Sequence, residues 1–158
     1  MTTLHLRGEF GRQLTVAVHS YERVEPQDPY DANWLRCSVQ AELGSFQAAL
    51  DASFTTQDFA RFLSDLDGVV SGATTVASFD TMENALSIRV EVDRVGRAVV
   101  TGKLREVVPY GSELSFTFES DHSFLAKAHS DLKRLVAEFP ERVSPPEAEP
   151  TPITGNHR

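Results

Sequence analysis

Two alternating runs of residues joined by a Gly-Ser pair constrain the fold of this chain more than any other feature. The runs 35–43 and 46–54 place an apolar side chain at every second position. This period is that of a β-strand. The two-residue link Gly44-Ser45 predicts a hairpin with a type II′-like turn, because glycine supplies the positive φ that the turn requires. Both runs place their apolar residues on one face, so the other face should meet solvent or a partner.

Similar alternation predicts more strands, over 13–20, 86–92, 97–107 and 113–119, and a shorter, weaker strand over 74–80. The period changes to three and four residues in two segments, which predicts two amphipathic helices. The first helix begins after Thr55, which forms a capping arrangement with Asp58, and it stops at Gly72. The second helix runs from about His122 to Phe139; Asp121 caps it and Pro140 ends it.

These elements predict an α+β domain with one meandering antiparallel sheet of six to seven strands. One face of the sheet is covered by the two helices. No helix separates every pair of strands, which argues against a parallel doubly wound sheet. We expect a single domain over residues 1–140. The tail over 141–158 is rich in proline, poor in apolar residues and without a period, which predicts disorder.

Charge narrows the choice of partners. The formal net charge is −8 and the pI is near 5.1. Nucleic-acid binding needs a concentrated positive surface, so we predict no nucleic-acid partner. A basic protein partner is compatible with this charge. The single cysteine cannot form an internal disulfide, and no apolar stretch is long enough to span a bilayer. We therefore expect a cytoplasmic protein with no membrane partner.

The sequence offers no recognisable catalytic, metal-binding or cofactor-binding site. None of the five histidines is three or four residues from another, so no short metal-ligand pair is present. Cys37 falls on the apolar face of a strand, where cysteine usually acts as a small hydrophobic residue. Nucleophile elbows, phosphate-binding glycine loops and dinucleotide fingerprints are absent from the sequence. We predict that the protein is not an enzyme and needs no cofactor.

The remaining candidates are partner-binding residues. An outward aromatic beside short polar residues can anchor a protein partner, and alternation with Leu35 points Trp34, the only tryptophan, away from the helix-covered face. The competing interpretation is that Trp34 packs under the preceding loop. Charged residues on the predicted polar face complete the set, which is Tyr30, Asp31, Asn33, Trp34, Arg36, Arg89 and Glu91.

Several strings together resemble the WapI-type bacterial immunity proteins. They are Tyr30-Asp31-Ala32-Asn33-Trp34-Leu35, Gly44-Ser45-Phe46, Thr55-Thr56-Gln57-Asp58-Phe59, Ser78-Phe79-Asp80-Thr81-Met82-Glu83, Leu114-Ser115-Phe116-Thr117-Phe118 and Asp121-His122-Ser123-Phe124-Leu125. The likeness covers roughly residues 30–140. One departure is His122, where the family pattern leads us to expect glutamine.

The resemblance implies a function. A family member would bind the toxin domain of a contact-delivered polymorphic toxin, such as a basic nuclease, inside the producing cell and block it. An acidic binding domain suits that task, because electrostatic complementarity speeds association and sorts partners. The alternatives are a small-molecule-binding module and a structural interaction domain of a bacterial cytosolic protein. A homodimer through an exposed edge strand is a further option, although nothing in the sequence identifies the strand.

Overall fold

The computed structural model describes residues 1–23, 25 and 28–142. Its strands are β1 (Thr2–Arg7), β2 (Gln13–Tyr21), β3 (Trp34–Leu43), β4 (Phe46–Thr55), β5 (Val76–Asp80), β6 (Leu86–Val92), β7 (Arg97–Arg105) and β8 (Glu113–Asp121). Its helices are α1 (Pro29–Ala32), α2 (Thr56–Ser71) and α3 (His122–Glu138). A short 3-10 turn spans Glu9–Gly11 between the first two strands. The predicted tail beyond residue 142 lies outside the described residues.

The α+β class is confirmed, but the prediction of one sheet is wrong. The strands form two four-stranded antiparallel sheets, in the orders β1-β2-β3-β4 and β5-β6-β7-β8. The division falls at α2, which has 16 residues and is therefore about 24 Å long at ~1.5 Å per residue. A helix of that length carries the chain away from β4, so β5 starts a new sheet. Alternation along a strand reports which face is buried and carries no information about which strand lies beside it.

The predicted hairpin and helix boundaries are confirmed. Leu43 pairs with Phe46 across the Gly44-Ser45 turn, and only Gly44 of the two turn residues has a positive φ, as a type II′ turn requires. Thr55 and Asp58 form a reciprocal capping box at the start of α2.

The other helix boundaries also follow the prediction. Gly72 ends α2 with a φ of 82°, and Asp121 accepts the Phe124 amide at the start of α3. Strand β1 and the short helix α1 are elements that the sequence did not predict. Only Leu4 and Leu6 are buried in the six residues of β1, which is too short an alternation to stand out.

The molecule is built from two similar halves, each a four-stranded sheet followed directly by a helix. The buried residues of α2 and α3 recur at identical spacing: Phe59, Phe62, Leu66 and Val69 correspond to Leu125, Ala128, Leu132 and Leu135. Each helix packs beside the first strand of the other half, so that α3 lies along β1 and α2 along β5. The halves are thereby interlocked.

One hydrophobic core serves both sheets, so both apolar faces are buried against the same set of side chains. Four phenylalanines join the halves at the centre. The Phe54 ring lies 5.3 Å from Phe79, and Phe79 lies 5.4 Å from Phe59 and 5.6 Å from Phe62. Their edge-on and tilted contacts are the arrangements that aromatic rings favour in protein interiors. The outer faces of both sheets are left polar and accessible.

Candidate binding surface

The segment around α1 holds three of the predicted partner-binding residues, and its polar groups make contacts within the fold. Tyr30 and Asp31 lie within α1, and Asp31 pairs with Arg23 at 3.6 Å. Asn33 follows α1, and its side-chain oxygen accepts the backbone N–H of Arg142 at 2.7 Å. These contacts give Asp31 and Asn33 roles in holding the loop.

Residues after α3 complete this part of the fold. The Arg142 guanidinium donates to the Ala32 carbonyl and stacks 3.8 Å from the centre of the Tyr21 ring. Tyr21 also packs edge-on against Phe139 and donates its hydroxyl to the Pro140 carbonyl at 2.6 Å. Burial raises the pKa of Tyr21, against the opposing effect of the Arg142 charge. Arg142 belongs to the segment that the sequence analysis assigned to the tail.

Trp34 and Arg36 share the outer face of the first sheet, at successive outward positions of β3. Trp34 is half-buried and pairs with Thr55, while Arg36 is exposed. Polar side chains continue this face on the neighbouring strands. His19 Nε2 lies 2.9 Å from Ser38 Oγ, and Ser53 donates to Glu22.

The pairing of His19 with Ser38 invites a catalytic reading, since histidine activates serine in many hydrolases. Among the described residues, no carboxylate lies within hydrogen-bond distance of the second His19 ring nitrogen. The orienting group that usually completes such a site is therefore missing. The pair is explained as a cross-strand polar contact on an exposed face.

Cys37 behaves as the sequence predicts. Its side chain is buried on the inner face of β3, and its thiol donates to the Leu35 carbonyl at 3.6 Å. Burial raises the pKa of the Cys37 thiol to about 12, so the thiol stays protonated at neutral pH. In the part of the chain that the structure describes, no three histidine, cysteine or acidic side chains are grouped to hold a metal ion.

Arg89 and Glu91 lie on the outer face of the second sheet, apart from the Trp34 face. They form an exposed ion pair on β6, with Arg89 Nη2 2.6 Å from Glu91 Oε1. The predicted single polar face is therefore two faces. Arg36, Ser38, Gln40, Gln47 and Asp51 belong to the first sheet, whereas Arg89, Glu91, Lys103, Thr117 and Glu119 belong to the second.

An acidic cleft at one end of the second sheet was not found from the sequence. Five carboxylates line this cleft, which is called the acidic cleft below: Glu9, Glu91, Asp93, Glu119 and Asp121. They come from the 3-10 turn, from the end of β6 with the turn after it, and from the end of β8, and only the fold brings these segments together. Glu91 is the one predicted site residue within it, and Arg97 is the one cation in its lining.

Two of these carboxylates also shape the backbone. Asp93 accepts the Val95 and Arg97 amides, both at 2.9 Å, and so closes the β6–β7 turn. Asp121 caps α3, and hydrogen bonds from Phe124 and Ser123 hold the pKa of its carboxyl below the usual range. Next to Glu9, the Phe10 side chain is 93% exposed with a φ of 59°, a conformation that is uncommon for a bulky residue.

The fold and its surfaces define a small α+β domain of two interlocked halves with polar, accessible sheet faces. The chain belongs to the immunity protein WapI-like family, whose family model matches residues 5–140. This membership confirms the resemblance that the sequence motifs suggested.

The other comparisons add little. No curated protein sequence matches the chain. Among solved structures, MRP1/MRP2 of Trypanosoma brucei is similar over 85% of this chain and 82% of that one, at 13% identity and a TM-score of 0.46. The siderocalin Ex-FABP aligns over 87% of this chain and 81% of that one, at 11% identity and a TM-score of 0.26. Likeness at this level carries no argument about function.

Among the residues that the structure describes, none of the helices has the length and apolarity needed to cross a membrane.

Proposed function

We propose that this protein is a non-catalytic immunity protein of the bacterial cytoplasm, which binds a cognate polymorphic toxin domain and blocks it. The observation that carries this proposal is family membership over residues 5–140. The partner is a protein domain, such as a basic nuclease, and neither nucleic acid nor membrane is involved. The toxin meets a preformed surface, so no cofactor is required.

The charge of the protein supports a basic partner. The net charge is −8, and the acidic cleft concentrates five carboxylates around one arginine. Such a surface attracts a positive partner over a distance and raises the association rate, especially at low salt. Phe10 stands exposed beside the cleft and offers an aromatic group to a partner pocket, as interface anchors do. We therefore place the toxin contact on the acidic cleft, which includes Glu91, with its ion-pair partner Arg89 at the margin.

The rival surface is the Trp34 face of the first sheet. It presents a half-buried tryptophan beside the exposed Arg36 and the His19–Ser38 pair. A small-molecule ligand is the alternative that this face favours, because a concavity there gathers His19, Glu22, Arg36, Asp51 and Ser53. Thermal stabilisation by a member of a panel of bacterial metabolites, abolished in Arg36→Ala, would support that alternative.

Co-expression tests the immunity role. The gene should stand beside one for a large secreted protein with a variable C-terminal domain, and expression of that domain alone should arrest growth. We expect this chain, supplied from a second plasmid, to restore growth. A chain that accumulates to normal levels and neither binds the domain nor restores growth contradicts the proposal.

Charge-reversal variants test whether the toxin binds at the acidic cleft. Glu91→Lys with Glu119→Lys should slow association with a basic toxin by about tenfold or more, because both carboxylates are exposed and act through steering. Glu42→Lys with Asp51→Lys is the matched control, since both are exposed carboxylates on the outer face of the first sheet and the change in net charge is the same. Equal effects of the two double changes on the association rate would indicate that the rate depends on net charge alone and not on the acidic cleft. A loss of toxin binding that occurs only in Trp34→Ala and Arg36→Glu would show that the toxin contacts the first sheet instead.

A further inference from the structure

The four edge strands of the two sheets, β1, β4, β5 and β8, are protected to very different degrees. Helix α3 covers β1, and the Asp131 carboxylate accepts the outward N–H of His5 at 3.1 Å. Helix α2 covers β5 in the same way, where Asp65 accepts the N–H of Ser78 at 3.1 Å. Both edges are therefore closed to a further strand.

Edge strand β8 is protected at one end by the start of the chain. Ser120 donates its hydroxyl to the Arg7 carbonyl at 2.6 Å, and Gly8 is buried against the Glu119 backbone and the Phe118 ring. A side chain at Gly8 would collide with both groups. Carboxylates at Glu113 and Glu119 add charge along the strand, a common means of discouraging strand pairing.

Edge strand β4 has none of these protections. Among the described residues it pairs only with β3, although it is ten residues long. It contains no proline, and Asp51 is its one charged residue. Phe46 is 67% exposed although it belongs to the apolar face, and Ala48 and Leu50 on that face are only half-buried. A long, regularly paired edge of this kind is a template for another strand.

The hydrogen-bond phase of β4 follows from its hairpin. Leu43 and Phe46 flank a two-residue turn and so form a hydrogen-bonded pair. Hydrogen-bonded and open pairs alternate in an antiparallel ladder, so the even-numbered residues of β4 bond to β3. The bond from Thr56 N to the Asn33 carbonyl, 2.9 Å long, continues the same phase. The outward backbone groups belong to Gln47, Ala49, Asp51 and Ser53.

We infer that β4 pairs with β4 of a second copy of this chain, antiparallel, with Ala49 opposite Ala49 on the two-fold axis. This register sets the outward backbone groups of Gln47 against those of Asp51 in the other copy. Each then both donates and accepts, as a hydrogen-bonded antiparallel pair requires. The two four-stranded sheets become one continuous sheet, and the interface is isologous, as in most homodimers.

The side chains of β4 are complementary to themselves in this register. On the apolar face, the exposed Phe46 lies against Ala52 and Leu50 lies against Ala48, so that each large group meets a small one. Contact with the second copy would cover the Phe46 ring that the single chain leaves exposed. On the polar face, the Gln47 amide can donate to the Asp51 carboxylate of the other copy. Cross-strand pairs of these kinds stabilise sheets.

Charge selects this register over its neighbours. With Ala49 on the axis, the two Asp51 carboxylates are four residues apart along the strands, roughly 13 Å at ~3.3 Å per residue. That exceeds the screening length of about 8 Å at physiological salt. A slip that places Asp51 on the axis sets the two carboxylates opposite each other, which destabilises a strand pair.

Sedimentation equilibrium of the full chain, without any toxin, tests the inference. The expected mass is twice the 17.5 kDa of one chain. Ala49→Pro should reduce it to a single chain, because the outward N–H is lost while the ladder to β3 is kept. Unchanged hydrogen-exchange protection of the β1–β3 amides in the Ala49→Pro chain separates lost pairing from misfolding. A wild-type chain that sediments as a monomer at micromolar concentration overturns the inference.

Cysteine cross-linking tests the register. Hydrogen-bonded partners have Cα atoms about 5.5 Å apart, within the range of a disulfide. Ala49→Cys should therefore form a covalent dimer on mild oxidation, whereas Gln47→Cys should not, and the buried Cys37 should not react. Thr117→Cys on the outer face of β8 is the matched control for the other edge. Cross-linking of Thr117→Cys alone, or protection of 47–53 only when toxin binds, contradicts the dimer. Neither outcome contradicts toxin neutralisation, although the second would place the toxin contact on β4 and not on the acidic cleft.

Discussion

Asp131 shows at the scale of one residue how the two halves are held together. Its carboxylate is 1% exposed, and it accepts the backbone and ring N–H groups of His5, each at 3.1 Å. Arg134 lies 2.7 Å away and Lys127 3.7 Å away on the same helix. Burial alone would raise the pKa of this carboxyl, but the hydrogen bonds from His5 and the nearby cations outweigh it and hold the pKa below the usual value.

Replacement of Asp131 should destabilise the protein more than replacement of its counterpart in the first half. Asp131→Ala leaves the His5 amide without its acceptor in a covered edge, so we expect a loss of about 2–4 kcal/mol in the free energy of unfolding. Asp65→Ala is the matched control; its carboxylate performs the same capping in an exposed position and should cost under about 1 kcal/mol. Urea denaturation of both variants measures the difference. Equal losses in the free energy of unfolding would contradict the claim that burial makes the Asp131 carboxylate the more important of the two.

The contribution of Asp131 should also depend on pH in one direction. Its folded pKa is lowered, so its stabilisation is present above the unfolded value of 3.8 and is lost as the pH falls through the lower folded value. The stability difference between wild type and Asp131→Ala should therefore be constant near neutral pH and shrink below about pH 4.

At the scale of the element, the sequence predicted individual strands and helices well and their partners poorly. The capping box at Thr55, the stop at Gly72 and the Gly44 turn depend on side chains within a few residues, so the sequence contains their full cause. The division into two sheets depends on where α2 delivers the chain. The acidic cleft depends on three segments that meet only after both sheets have formed. Contacts between segments so far apart in the chain do not affect the periodicity of the sequence, so the sequence could not predict them.

Gly102 marks a contact between strands that the alternation alone does not explain. It occupies an inward position of β7, and a Cβ atom there would lie 2.5 Å from the tip of the Phe116 ring and from the Ser87 carbonyl oxygen. The glycine thus makes room for an aromatic ring on β8. The packing of the second half therefore requires a residue without a side chain at this position.

Gly102→Ala should therefore be destabilising even though alanine suits a strand better than glycine. We expect a loss of about 1–3 kcal/mol in the free energy of unfolding, because the added methyl group overfills the site. Phe116→Leu in the same chain should recover part of that loss by shortening the ring. Thr101→Ala, on the exposed outer face of the same strand, is the neutral control for thermal denaturation. A stabilising Gly102→Ala would contradict the packing argument.

At the scale of the whole molecule, the interlocked halves leave two polar sheet faces and one acidic cleft as the surfaces that a partner can reach. The sequence placed Trp34, Arg36, Arg89 and Glu91 on outward positions, and the structure assigns them to two separate sheets. Alternation could identify outward side chains but could not assemble them into one surface. The family relationship could still be predicted, because the motifs that indicate it are read in order along the chain and do not depend on which surface they form.

Titration of toxin activity against this chain tests most directly whether the protein acts by presenting a surface. A binding protein is consumed as it works, so residual activity of the purified toxin domain should fall linearly and reach zero at one chain per toxin domain. Recovery of active toxin after denaturing separation would show that the toxin is chemically unchanged. Complete inactivation at a small fraction of one chain per toxin would mean turnover, and it would contradict a non-catalytic immunity protein.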